Sequence, residues 1–185
     1  MSRPSRALGR AVASLVVVVA ALLAARPARA DATYVSFGVI ASTWTDRPLG
    51  LGAEVSVMRF ARSAGTGGLG AFTQLELSPP TKESDDTPFR VSVGPQMTEG
   101  PFGVEIGLDY RTGVRGESTD DSLGLRVAPF LSLGIAYVSF SGAYLPVATD
   151  VTPGGRPVGL SLGMTVGLKA PLLIQGKALA FCPHC

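Results

Sequence analysis

Between Thr33 and Lys169 a large apolar side chain recurs at every second position through eight successive runs. In the last run Leu160, Leu162, Met164, Val166 and Leu168 alternate with Gly159, Ser161, Gly163, Thr165 and Gly167. Neighbouring side chains of a strand point to opposite faces, so each run has one apolar face and one small or polar face. No run prefers the three- and four-residue spacing of a helix. The runs are Thr33–Ser42, Leu49–Phe60, Leu69–Leu77, Phe89–Met97, Phe102–Arg111, Ser122–Leu131, Ile135–Leu145 and Val158–Lys169. Gly, Pro, Asp and Ser gather between them, as turns require. The pattern predicts an all-β fold, an eight-stranded antiparallel up-and-down β-barrel.

The connections alternate in length. Thr43–Pro48, Ser78–Pro88, Thr112–Asp121 and Pro146–Pro157 are mostly long and polar, whereas Ala61–Gly68, Thr98–Pro101 and Ser132–Gly134 are shorter on average. Barrels of bacterial outer membranes have this asymmetry, with long loops outside the cell and tight turns facing the periplasm. The stretch Leu123–Val147 lacks a strong turn signal, so the division of the sixth and seventh strands is the point on which the even count depends.

Two architectures share this alternation with opposite faces inside. A soluble barrel buries the apolar face and shows a polar one to water. Here the second face is dominated by glycine: Gly50, Gly52, Gly70, Gly94, Gly103, Gly107, Gly124, Gly159, Gly163 and Gly167. Glycine weakens a strand and has no side chain to pack. A water-facing exterior does not need it, but an eight-stranded lumen is only just wide enough for side chains. The apolar face is therefore expected outside. Trp44, Phe89, Tyr110 and Tyr144 at the loop ends, with Tyr34, Phe60, Phe102, Phe130 and Tyr137 at the turn ends, suggest two aromatic belts.

Composition changes once the N-terminus is considered. Arg3, Arg6 and Arg10 precede an apolar stretch, Ala11–Ala25, interrupted only by Ser14, and Ala28-Arg29-Ala30 offers small residues to a signal peptidase. A stretch of fifteen residues falls short of the about 20 that span a bilayer as a helix. Residues 1–30 are read as a cleaved signal peptide, 31–169 as the barrel domain and 170–185 as a C-terminal tail. The whole chain has 16 basic and 14 acidic residues; losing Arg3, Arg6, Arg10, Arg26 and Arg29 leaves 11 basic residues and a net charge of −3. The basic balance belongs to the leader and gives no support for nucleic-acid binding.

On this topology the mature chain resembles the small eight-stranded outer-membrane barrels, the OmpA- and OmpX-like group, over about Thr33–Lys169. The resemblance implies insertion by the outer-membrane assembly machinery, which commonly reads an aromatic at the end of the last strand. This chain departs there: its eighth run ends Val166-Gly167-Leu168-Lys169, and Pro171 separates it from Phe181.

The candidate chemistry lies on the glycine-rich face. Glu54, Glu76, Arg90, Glu105, Asp109 and Arg126 share it and are expected as lumen charge pairs, with Glu76 directly opposite Arg90 and Asp109 diagonal to Arg126. Paired charges are tolerated in a narrow lumen where unpaired ones are costly, so a static plug is expected over a polar pore. Acidic residues collect in the long loops: Glu83, Asp85 and Asp86, then Glu117, Asp120 and Asp121, then Asp150. None of these loops has EF-hand spacing, and a solvated surface is expected. Cys182-Pro183-His184-Cys185 is similar to the active-site motif of DsbA-type oxidoreductases, but no βαβ pattern precedes it and no helix follows, so a local disulfide is expected. The single histidine, His184, sits in this motif, leaving no Ser/His/Asp set.

The expectation is a non-enzymatic outer-membrane barrel of a Gram-negative envelope. Its role is structural or surface-interacting, its partners are membrane lipid and the assembly machinery, and no cofactor, metal or nucleic acid is involved. The alternative is a soluble periplasmic barrel holding a hydrophobic ligand in an apolar core.

Overall fold

The computed structural model describes residues 32–60, 67–80, 87–113, 119–150, 154–175 and 178–181. The leader, Glu83, Asp85, Asp86, Glu117, and Cys182 with His184 and Cys185, lie outside these residues. The strands are β1 (Ala32–Trp44), β2 (Arg47–Phe60), β3 (Gly67–Leu77), β4 (Phe89–Glu99), β5 (Phe102–Arg111), β6 (Asp121–Leu133), β7 (Ala136–Asp150), β8 (Gly159–Gln175) and β9 (Ala178–Phe181). Each pairs antiparallel with its neighbour in the chain, and β1 pairs with β8, closing an eight-stranded up-and-down barrel.

The closure is staggered. Partner by partner, the path Ala32, Phe60, Gly68, Thr98, Gly103, Phe130, Ser139, Thr165 returns to β1 at Ser42, ten residues from its start. With ordinary strand spacings this shear tilts the strands by about 40° and sets a barrel radius of about 8 Å. Side chains from opposite walls therefore meet at the axis.

Alternation decides what they are. Leu160, Leu162 and Leu168 are 69%, 54% and 56% exposed, whereas Ser161 and Thr165 are fully buried. The interior is polar and the exterior apolar, which removes the alternative of an apolar core. On the outward face of the eight strands, among the described residues, the charged side chains are Arg47, Arg59, Glu99 and Asp121, all within two residues of a strand end. No helix long and apolar enough to cross a membrane occurs among the described residues.

The sixth and seventh strands divide at Gly134–Ile135, where Gly134 takes φ +62°, a left-handed conformation that glycine adopts without strain. The first connection, expected to be long, is a two-residue turn at Thr45–Asp46. Two further expectations are corrected. The barrel wall does not stop at Lys169: β8 continues to Gln175 and pairs with β1 as far as Thr33↔Ile174. Pro171 is accommodated because β7 pairs only to Leu168. The backbone N–H of Lys169 points to that side, bonding Ile135 O at 2.7 Å, and the ring nitrogen two residues on faces the same vacated edge. β9 then covers the edge from Leu172 onward.

The belts are also only partly as expected. Phe89, Tyr110, Tyr144 and Phe102 face outward, but Tyr34, Trp44, Phe60, Phe130 and Tyr137 share the parity of the lumen residues and point inward. Finally, the inward glycines do more than spare space in general. Trp44, Phe60, Phe72, Phe130 and Tyr137 lie directly opposite Gly163, Gly68, Gly94, Gly103 and Gly167. Each lumen ring on this list is thus set against a bare stretch of the adjacent strand, an arrangement in which aromatics compensate glycine in a sheet.

Candidate functional site

The lumen gathers the charges into two tiers. The first lies towards the Thr45–Asp46 turn. Arg90 on β4 grips Asp109 on β5 through Nε to Oδ1 at 2.6 Å and Nη2 to Oδ2 at 2.9 Å, and reaches Glu76 Oε1 at 3.4 Å. The two-pronged geometry suits a planar guanidinium. Ser92 Oγ donates to Asp109 at 2.9 Å, while Ser42 Oγ and Trp44 Nε1 both donate to Glu76. The Trp44 ring meets two cations, its centroid 3.5 Å from the Arg90 guanidinium and 4.4 Å from that of Arg111. Arg111 Nη1 donates to both Asp46 oxygens at 2.5 Å, and Ser161 Oγ donates to Asp46 as well. This latch folds the first turn over the mouth of the barrel. Burial raises the Asp46 carboxyl, but the Arg111 hydrogen bonds and charge, with the Ser161 hydroxyl, hold it below its ordinary value.

The second tier lies further in. Arg126 on β6 meets Glu105 Oε2 at 3.4 Å and donates to Gln74 Oε1 and to Ser141 Oγ. Gln74 Nε2 donates to Glu54 at 2.8 Å and to Glu105 at 3.3 Å, bridging β2, β3 and β5. Tyr137 Oη donates to Glu105 Oε1 at 3.0 Å. Lys169 Nζ pairs with Glu54, lies 4.0 Å from Glu105, and sits 3.6 Å above the Tyr137 ring.

The inward charges balance: Glu54, Glu76, Glu105 and Asp109 face Arg90, Arg111, Arg126 and Lys169. Glu105, Asp109 and Arg126 have no accessible surface, and each would cost several kcal/mol of desolvation if unpaired. Removing one partner of such a pair would therefore leave a buried charge uncompensated.

Parity brought all six expected residues to one face, and Glu76 stands in register with Arg90. The diagonal pairing of Asp109 with Arg126 is not the one formed. Asp109 lies opposite Gly124 and contacts Arg90 and Arg111, while Arg126 takes Glu105. Long side chains cross the lumen to strands that are not neighbours, so adjacency in the sheet does not select partners. Arg111 and Lys169 escaped the sequence reading because they fall at the ends of their runs, although each shares the parity of its lumen neighbours. Gln74 was not singled out and Trp44 and Tyr137 were assigned to the belts, although the same alternation places all three inside.

Of the acidic loop residues, Asp121 accepts from Tyr110 Oη at 2.6 Å and from the Gly113 backbone at 2.7 Å, and Asp120 is buried. Both serve the Thr112–Asp121 connection. No cluster of three metal-ligating groups occurs among the described residues. Neither a family model nor a curated protein matches this chain.

Proposed function

We propose that this chain is a small outer-membrane β-barrel whose wall is covered by lipid and whose lumen is closed, with a structural or surface-interacting role and no catalytic one. The observation that carries the reading is the segregation of charge. The eight inward charges are paired, while the outward face between the strand ends is uncharged and carries exposed Leu, Val, Ile and Phe. So much continuous apolar exterior is unfavourable in water, where large exposed patches mark contact with another phase or partner. A bilayer satisfies it, and closure of the sheet leaves no backbone edge in the hydrocarbon. The leader supplies a route across the inner membrane, and the assembly machinery is the partner for insertion. The polar loops then face the medium and provide the surface for contact.

The test is fractionation followed by electrophoresis with and without boiling. The protein is expected in the outer-membrane fraction, with a migration that changes on heating. Recovery as a soluble periplasmic protein with no heat shift would overturn the reading.

A further inference from the structure

A cavity of about 600 Å³ opens at the barrel end that carries both Ala32 and Gln175. Its walls are apolar and aromatic, formed by Tyr34, Met58, Phe60, Phe130 and Pro171, and its rim includes the Gly100–Pro101 and Gly134 turns. The size is that of a small-molecule site, and so is the lining, a mainly apolar wall with a few fixed polar groups. Those groups are Ser36, Ser56, Gln96, Thr98, Ser132 and Lys169. Gln96 is 5% exposed, and its Oε1 has no hydrogen-bond partner among the described residues. A buried acceptor left unmet is an exception in folded proteins.

We infer that this vestibule binds a neutral amphiphile: an alkyl chain ending in a hydroxyl or amide that donates to Gln96 and accepts from the serine hydroxyls. The apolar walls select the chain. The charge balance at the floor selects the head. Lys169 is already paired with Glu54 and lies near Glu105, and Glu105 is held by Arg126. Lys169 is the charged residue of the lining, so a cationic head would meet it directly and an anionic head would have to compete with the buried Glu54 for it. A neutral head disturbs neither. The site lies within the barrel, so it does not depend on what covers the outer wall.

The experiment uses the full chain folded in lipid nanodiscs. It is irradiated with three photoreactive decyl probes differing only in the head: alcohol, carboxylate or trimethylammonium. Adducts are mapped by mass spectrometry. The alcohol is expected to label inward Met58, Phe60 or Phe130 and to be displaced by excess decanol. The charged probes should label these positions at least about tenfold less. Ser36→Phe and Ser132→Phe, which fill the cavity from two strands, should each cut the inward adducts about tenfold while the heat shift is retained. Displacement by decanol tests the site in the native sequence even where a filled variant fails to fold. Adducts confined to outward residues such as Leu69 and Phe102 would overturn the inference. So would inward labelling that ignores competitor, filling or head charge.

Discussion

Gly163 and Trp44 form a pair whose disruption has a calculable cost. They are cross-strand partners on β8 and β1. A Cβ added at Gly163 would lie 2.4 Å from Trp44 Cδ2 and 2.5 Å from Cε3, with Thr43 O at 2.8 Å blocking the other side. Contact of that kind must be relieved by a shift approaching 1 Å, and the ring has nowhere free to go. The Arg90 and Arg111 guanidinium groups lie 3.5 and 4.4 Å from its centroid, and its Nε1 donates to Glu76 at 3.3 Å. Overpacking a tight interior costs about 1–3 kcal/mol, and a strained hydrogen bond to a buried carboxylate adds to it. Gly163→Ala is therefore expected to destabilise the folded barrel by about 2–3 kcal/mol. Trp44→Leu removes the ring's share of the clash and leaves that with Thr43 O, so Gly163→Ala should cost about 1 kcal/mol in that background. The predicted coupling is about 1–2 kcal/mol, within the range seen for residues in contact. Folding in lipid vesicles across a urea series, read as the heat-shifted fraction on gels, measures all four corners of the cycle and does not need the Trp44 fluorescence. Additive costs would refute the claim that Gly163 exists to seat Trp44.

Other expectations follow from the same geometry. Arg126→Met leaves Glu105 without its guanidinium and should cost about 3–5 kcal/mol, with much of the loss recovered in the double variant Arg126→Met/Glu105→Gln, measured in the same urea assay. Val166→Arg, near the middle of β8 on the outward face, should cost about 2–4 kcal/mol in a bilayer, and Leu162→Arg, beside the Thr45 turn, distinctly less; equal tolerance of both would count against a lipid-facing wall. Because Asp46 titrates below its ordinary value, its latch contributes fully at neutral pH and is lost only as pH falls through that lowered value. The stability difference between the native chain and Asp46→Asn should thus be constant down to about pH 5 and shrink below about pH 4, as read from unfolding midpoints across pH.

The fold was legible because a period of two is a local property. Each run states its own two faces, and the composition of those faces told inside from outside before any pairing was known. Register was legible where two runs close symmetrically on the connection between them, as Ser78 and Pro88 do. The pairing of β4 with β3 puts Glu76 opposite Arg90, as the hairpin implies. Partner choice across the lumen was not legible, since Arg126 and Glu105 meet through reach and not through sequence spacing. The end of β8 was hidden by Pro171, which reads as a terminator unless the edge beyond β7 is known to be vacant. The inward aromatics were misplaced for a simpler reason. Position near a strand end suggested a belt, while the parity of Phe60 with Glu54, or of Tyr137 with Ser139 and Ser141, already set them inside.

The central claim is that the apolar wall meets hydrocarbon and the charged interior is closed. Single cysteines at each position from Leu160 to Leu168, in a chain with Cys182 and Cys185 replaced by serine, can be spin-labelled and studied in membranes. The account predicts strict alternation: labels at Leu160, Leu162, Met164, Val166 and Leu168 are reached by dissolved oxygen and shielded from a water-soluble nickel chelate, and labels at inward positions that still fold are reached by neither. Ready collision of the chelate with the outward labels across the middle of β8 would contradict it.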